Sequence, residues 1–339
     1  MSKVSKSFVG IDISKLWFDA ALIKSNDPGQ SVHKQFSQNE EGFEKLATWL
    51  VQQGIQLNDE TLFCMEYTGI YNTALVNFLL KQKAQIWVEM PLRIKRSQGL
   101  QRGDDDKAAA LKIAMYAYRF EDVKQLWQPL DSSIEKIKLL IAQRERIMNA
   151  IIQLRVPVEE LSKCGCGQEA KAMEKIQRSS VRQLQRAKSD IEKYIKEIVA
   201  GDMLIARQVS QVQSIRGIGP VTAVALLSYT KGFTSFDNAK QLACYCGVAP
   251  FSKSSGISVR FKPTVSPHAN KQLKKLLHLC ALSAIKNDKE IRAYFERKVR
   301  EGKNKMSVLN AVRNKLVHRV FAVLRDDRFY QQEFVRNCA

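Results

Sequence analysis

What these 339 residues lack removes several classes of protein. No apolar run reaches about 18 residues, so no helical membrane span is written into the chain and no membrane partner is expected. Glycine (16) and proline (8) are few and hydrophobic residues make up 45%, a globular rather than a disordered composition. The four histidines, His33, His268, His278 and His318, show no metal-ligand spacing and are expected at the surface or on phosphates. The seven cysteines are an odd number. Cys164/Cys166 and Cys244/Cys246 are each one residue apart, where zinc sites use about two to four. The opening MSKVSKSFVGID has no secretory apolar region, so a reducing cytoplasm is expected.

Acid is also scarce. Lys plus Arg number 54 against 34 Asp plus Glu, a formal charge of +20. The excess is uneven: residues 201–339 hold 24 basic and 9 acidic residues, a net of +15, and residues 1–200 only +5. A region that basic repels itself unless a polyanion binds it, and nucleic acid is the first candidate. The alternatives are an acidic lipid surface, for which no amphipathic anchor or lipidation site is visible, and a solvated face with no partner.

The length suggests two domains and an extended connector, and the pattern divides the chain at 1–128, 129–200 and 201–339. In the first part, strand-like runs at 8–12, 16–23 and 32–37 precede a helix over 40–53 with Phe43, Leu46, Leu50 and Val51 on one face. Strands at 61–66 and 85–91 then alternate with helices at 71–82 and about 104–119, predicting a mixed α/β sheet. In the second, apolar residues from Ile134 to Leu154 and from Met173 to Ile198 recur at helical spacing. Breaks at Val156–Pro157 and at Cys164-Gly165-Cys166-Gly167 make this an antiparallel coiled-coil hairpin for spacing, subunit pairing or both. The third is mostly helical, with an irregular stretch at 247–268 and closing helices at 269–299 and 305–326.

Three constellations could carry chemistry. Asp12 and Glu66 each end a buried-type strand, and Asp104-Asp105-Asp106 stands at a helix start. Carboxylates gathered at one sheet edge repel one another unless divalent cations neutralise them, and such ions clamp phosphoryl displacements. The alternative is ordinary strand ends and an N-cap. Next, Gly217-Ile218-Gly219-Pro220 is a tight turn between two helical runs. It resembles a helix–hairpin–helix, whose turn amides grip DNA phosphates without reading sequence; an ordinary helix corner is the alternative. Last, Ser254-Ser255-Gly256 is flanked by Lys253, Arg260 and Lys262. It is either a serine nucleophile with cations around its phosphate or a common Ser/Gly loop.

These motifs sit in blocks that resemble a known family along nearly the whole chain. FVGIDISK (8–15), MEYTGIYN (65–72) and LQRGDDDKAAALKIAMYAYRF (100–120) are similar to the N-terminal blocks of the insertion-sequence "one-ten" transposases. SIRGIGPVTA (214–223), FDNAKQLACYCGVAPFSKSSG (236–256) and HANKQLKKLLHLCALSA (268–284) resemble their C-terminal block. The resemblance implies a RuvC-like RNase H domain, a coiled coil and a helical transposase domain. It further implies a recombinase that cuts and rejoins DNA with a four-carboxylate (DEDD) site, Mg²⁺ or Mn²⁺, and a serine forming a phosphoserine link. A structured non-coding guide RNA pairing with target and donor DNA is implied too, as is a dimer or tetramer in which one chain's acids meet another's serine. The expected place is the bacterial cytoplasm, on nucleoid DNA.

Carried over by motif, Asp12 is the first acid, Glu66 the second and Asp106 the third, all as metal ligands, and Ser255 is the nucleophile ahead of Ser254. Arg216, Gly217, Gly219, Lys253, Arg260 and Lys262 would hold phosphates. One position departs from the family. The fourth acid belongs three residues after Asp106, where both carboxylates would share a helical face, and Ala109 stands there. Asp105 lies four residues before it and could compensate, Asp104 less so. The chain is therefore a divergent member or one disabled at that site. The rival functions are a metal-only, junction-resolving nuclease and a non-enzymatic nucleic-acid-binding protein.

Overall fold

The computed structural model describes residues 6–97, 106–129, 131–255, 259–267 and 269–331, at 106 and 251–264 for the backbone alone. The chain forms two compact units, Met1–Pro129 and Leu130–Ala339.

The first unit is a five-stranded sheet between helices. Its elements are β1 (Ser7–Ile13), β2 (Trp17–Lys24), β3 (Asp27–Ser37), α1 (Glu40–Gln52), β4 (Thr61–Glu66), α2 (Asn72–Lys81), β5 (Gln85–Glu89), α3 (Pro91–Ser97) and α4 (Asp106–Arg119). The sheet order is β3-β2-β1-β4-β5, with β1, β2 and β3 antiparallel in sequence and β4 and β5 parallel to β1. Because β1 and β4 are apolar on both faces, the sheet must be covered on both sides. Val9, Ile11, Phe63 and Met65 pack with Phe43, Leu46 and Leu50 of α1 and Leu75 and Leu79 of α2. Val51, expected on the α1 core face, is exposed, and Trp49 is buried in its place.

On the other face Phe8, Leu62, Cys64 and Trp87 meet Ile94 of α3 and Ile113, Ala114, Tyr116 and Ala117 of α4. Here α4 lies directly on β1. A Cβ added to Gly10 would sit 2.2 Å from both the Ala110 carbonyl and the Ala114 amide. Phe8 meets Tyr118 edge-on at 5.4 Å. Going from Phe8 through Gly10 toward Asp12 therefore runs backward along α4, toward its N-terminus.

The second unit is largely helical. Its elements are α5 (Ser132–Lys163), α6 (Gly167–Ala200), α7 (Met203–Gln213), α8 (Pro220–Tyr229), α9 (Ala239–Tyr245), β6 (Pro250–Ser255), β7 (Val259–Val265), α10 (Lys271–Asn287), α11 (Lys289–Arg300) and α12 (Lys305–Arg325). Asp131, Asp202, Asn238, Asn270, Asp288 and Asn304 each cap the helix that follows through a side-chain oxygen. Leu309, Val312, Leu316 and Val320 of α12 centre the core, joined by α8, α10 and the inner ends of α5 and α6. Farther out, α5 and α6 pair through Ile147, Ile151 and Val181.

Three expectations need correction. The helix does not break at Val156–Pro157, because α5 continues through Pro157 to Lys163. Proline removes one helical donor, and the Gln177 side-chain amide of α6 donates to the neighbouring Leu154 carbonyl at 2.9 Å. The irregular stretch at 247–268 contains the β6–β7 antiparallel ladder. The expected helix over 269–299 is two helices, α10 and α11. They divide at buried Asp288, which caps α11 and receives Arg319 at 2.7 Å.

Candidate active site

The acids of the first unit form a row. Asp12 is paired with Asp19 across β1 and β2, Ile11 with Met65 across β1 and β4, and Glu66 with Glu89 across β4 and β5. Their strand neighbours Ile11, Phe18, Met65 and Val88 all point into the α1–α2 side of the sheet. Alternation therefore turns Asp19, Asp12, Glu66 and Glu89 to the α4 side, on adjacent strands about 5 Å apart.

The outer two acids are buried and spoken for. Asp19 accepts from His33 Nε2 at 2.7 Å and Gln35 Nε2 at 3.0 Å. Glu89 accepts from the Met90 amide at 2.7 Å and, at Oε2, from the Tyr116 hydroxyl at 3.1 Å and Arg93 at 3.4 Å. Burial and the Glu89 carboxylate push the Tyr116 phenol up to about 12, so it stays a donor. The inner two, Asp12 and Glu66, are half-buried. Burial first, and then the Asp12 charge, raise the Glu66 carboxyl above its ordinary value, and Lys95 of α3 opposes this in part.

Two neighbouring oxygen-donor carboxylates, one of them held above its ordinary value by burial and by the other's charge, fit a hard divalent cation, which takes one or two protein carboxylates and fills its shell with water and phosphate. Among the described residues no three His, Cys, Asp or Glu side chains converge to hold a metal unaided. The third expected acid, Asp106, begins α4, the helix whose N-terminus lies toward the Asp12 end of β1. Ala109 follows within its first turn and is half-buried. Asp104 and Asp105 lie outside the described residues.

Sequence reasoning missed four residues that shape this site. Asn72 is buried, accepts from the Thr68 amide (2.6 Å) and hydroxyl (2.9 Å), and donates to the Glu66 carbonyl at 2.8 Å. It ties down the chain just after Glu66, and its only signal was a place in the MEYTGIYN block. Asp19, Glu89 and His33 were the others; His33 was expected at the surface or on phosphate and is instead bound to Asp19. No local pattern marks these three, because β2 and β5 are apolar on both faces and the pairing with β3 is what brings His33 to Asp19.

In the second unit Ser255 is the last residue of β6 and pairs with Val259, beside Ser254–Arg260 and Lys253–Phe261. Lys262 lies in β7. Strand pairing thus brings Lys253, Ser254, Ser255 and Arg260 to one end of a two-stranded ladder. Gly256 and His268 lie outside the described residues.

The Gly217–Pro220 turn connects α7 to α8, with Arg216 exposed. Gly217 has φ +97°, and a Cβ there would approach Ala284 and the Cys280 carbonyl to within 2.8 Å. Its requirement for glycine is met by close packing on α10. Gly219 is different: it is exposed, has open space around it and caps α8 with no side-chain oxygen. At the α8 N-terminus Pro220 has no amide and the Thr222 amide reaches the Gly219 carbonyl at 3.1 Å, which leaves the Val221 amide without the side-chain cap that α7 and α9 have.

Two family models match the chain in order. A DEDD-type IS110 transposase model covers residues 9–160, and the model of the transposase IS116/IS110/IS902 family covers 209–296. The chain belongs to the IS110 family of transposases. It is thereby an enzyme of DNA recombination, with DNA as its substrate and, through the DEDD domain, a dependence on divalent metal. The pilin gene-inverting protein of Moraxella bovis is 28% identical over 330 residues, spanning 96% of this chain and 98% of that protein. The pilin gene-inverting protein of Moraxella lacunata matches at the same identity and extent. An uncharacterised 43.6 kDa protein of insertion element IS110 from Streptomyces coelicolor is 36% identical over 122 residues, 35% of this chain and 29% of its own length. In this IS110 transposase the mixed α/β sheet falls in the DEDD-type match, and the second match falls in the helical unit.

Proposed function

We propose that this transposase is an RNA-guided, site-specific DNA recombinase with an RNase H-like acid site and a serine nucleophile. The sheet order, with β2 antiparallel to β1 and β4 and β5 parallel to it, supports the RNase H-like assignment. The observation that carries the reading is the Asp12–Glu66 pair. It sits at the strand ends on the α4 side, charged against itself, in a chain otherwise strongly basic.

Asp12, Glu66 and Asp106 would hold Mg²⁺ or Mn²⁺. The ion supplies charge neutralisation at the reacting phosphate. The protein's own part is to hold the two carboxylates apart from bulk water and in register, which the flanking Asp19 and Glu89 networks and the Asn72 clamp do. The Ser255 oxygen gives up its proton and forms a bond to phosphorus as one phosphate ester bond breaks, and the departing sugar oxygen takes up a proton in exchange. Rejoining reverses the exchange with another strand's hydroxyl. Lys253, Arg260 and Lys262 would steady the phosphate, and the open α8 N-terminus at Gly219, with Arg216, would grip the backbone nearby. The resemblance in the C-terminal blocks and the +15 charge beyond residue 200 support a structured guide RNA beside target and donor DNA, a dimer or tetramer, and work on nucleoid DNA in the cytoplasm.

Ala109 favours one other reading, a chain that binds nucleic acid and does not cut it. A covalent assay addresses the serine. Incubated with cognate DNA, guide RNA and Mg²⁺, the protein should form a detergent-resistant DNA adduct, and Ser255→Ala should abolish it. Cleavage that persists unchanged in Ser255→Ala would replace the serine mechanism with metal-only hydrolysis.

A further inference from the structure

In the second unit, α11 and α12 border a cavity of about 430 Å³. Its charged lining is Arg297, Arg300 and Lys315 against one acid, Glu290. Glu290 does not neutralise them, because its carboxylate takes the Arg319 guanidinium at 2.6 Å. Arg297 stands 3.8 Å from Glu301, whose nearer partner is Lys298 at 2.6 Å. Among the described residues neither Arg300 nor Lys315 has a carboxylate partner. What holds Lys315 is the Tyr294 ring, with its ammonium 4.5 Å from the centroid, and the Arg297 guanidinium lies 5.9 Å from the same centroid. Three like charges around one cavity repel, and an aromatic ring orients a cation without cancelling its charge. Such a site is prepared for an anion. Arginine forks and a lysine ammonium suit phosphate oxygens, and a single aromatic wall already occupied by cations leaves no stacking place for a base.

We propose that the α11–α12 cavity is a phosphate clamp for a nucleic-acid strand, with Arg300 and Lys315 on the phosphate and Arg297 at the rim. It rests on the nucleic-acid recombinase reading and adds a contact that reads no sequence. Binding of the full-length protein to a DNA duplex, a DNA single strand and an RNA hairpin of matched length is measured against salt. In Arg300→Gln/Lys315→Gln the slope of log K on log salt should become shallower by about 1.8 on the duplex, or by about 1.4 on a single strand. At 0.1 M salt the affinity should fall by more than about tenfold. Arg300→Gln alone, at an exposed side chain, should give half that slope change. The probe that responds identifies the strand as DNA or RNA.

Arg178→Gln/Lys193→Gln on α6 removes the same charge at side chains already near Glu174 and Glu197. An equal slope change there would overturn the clamp in favour of net charge. Unchanged slopes in the cavity variants, with steep binding by the wild type, would overturn the clamp and leave the recombinase reading standing. Salt-independent wild-type binding on all three probes would overturn the recombinase reading itself.

Discussion

Ala109 is a single methyl at the position where, by the motif resemblance, a fourth acid would stand. Asp106 begins α4 and Ala109 stands one turn on, so a carboxylate at 109 would project from the same helical face, over the end of the sheet where Asp12 and Glu66 lie. Restoring it should raise Mg²⁺-dependent strand cleavage, with guide RNA present, by more than about tenfold. Equal cleavage by wild type and Ala109→Asp would show that the site works with three acids. At this scale the motifs marked Asp12 and Glu66, which adjacent strands bring side by side, and gave no sign of the role of Gly10. The sequence was silent on Asn72, Asp19 and Glu89. Their roles come from hydrogen bonds to partners 4 to 27 residues away, and no local pattern encodes those.

Elements were legible where periodicity is strong and obscure where a tertiary contact overrides a local rule. The five strands and α1, α2 and α4 follow from apolar alternation and helical spacing. Pro157 looks like a helix end until Gln177 of the partner helix is seen beside it. In the β6–β7 ladder β6 has Pro, Lys and Ser where strands favour β-branched and aromatic residues, so its composition hid the partner of β7, which does carry Val259, Phe261, Thr264 and Val265. The placement of α4 on β1 depends on Gly10. Gly10→Ala puts a methyl 2.2 Å from two backbone atoms of α4, which must lift. Overpacking of this kind costs about 1–3 kcal/mol or more, and urea unfolding should report it as a lower midpoint at unchanged m-value. Gly219→Ala, with open space and φ −90°, should keep the unfolding free energy within about 1 kcal/mol of wild type, the cost of alanine at an N-cap. If both variants unfold alike, α4 is not seated on β1 as described.

At the scale of the whole molecule, charge is divided by task. The helical region beyond residue 200 carries +15, and the first unit sets four carboxylates in a row on one sheet face. Those acids work against binding a polyanion, and Glu66 also works against the fold. Glu66 has its folded-state pKa raised by burial and by Asp12. A group raised in this way favours the fold fully below its unfolded value, ordinarily 4.5, and loses that contribution as pH rises through the folded pKa. At pH 7 the ionised Glu66 therefore opposes folding, and the uncharged isostere does not. In chelator, Glu66→Gln should melt at a higher temperature than wild type at pH 7, with the gain vanishing below about pH 4.5. Added Mg²⁺ should raise the melting temperature of wild type and leave the variant's unchanged. Strand cleavage should fall by more than the roughly 10–100-fold typical of losing an outer-sphere partner. Affinity for DNA should hold or tighten, because the basic region is intact and one repelling charge is gone. A variant that loses DNA affinity together with cleavage would mean that the acid row takes part in holding DNA, and the division of charge between the units would fail with it.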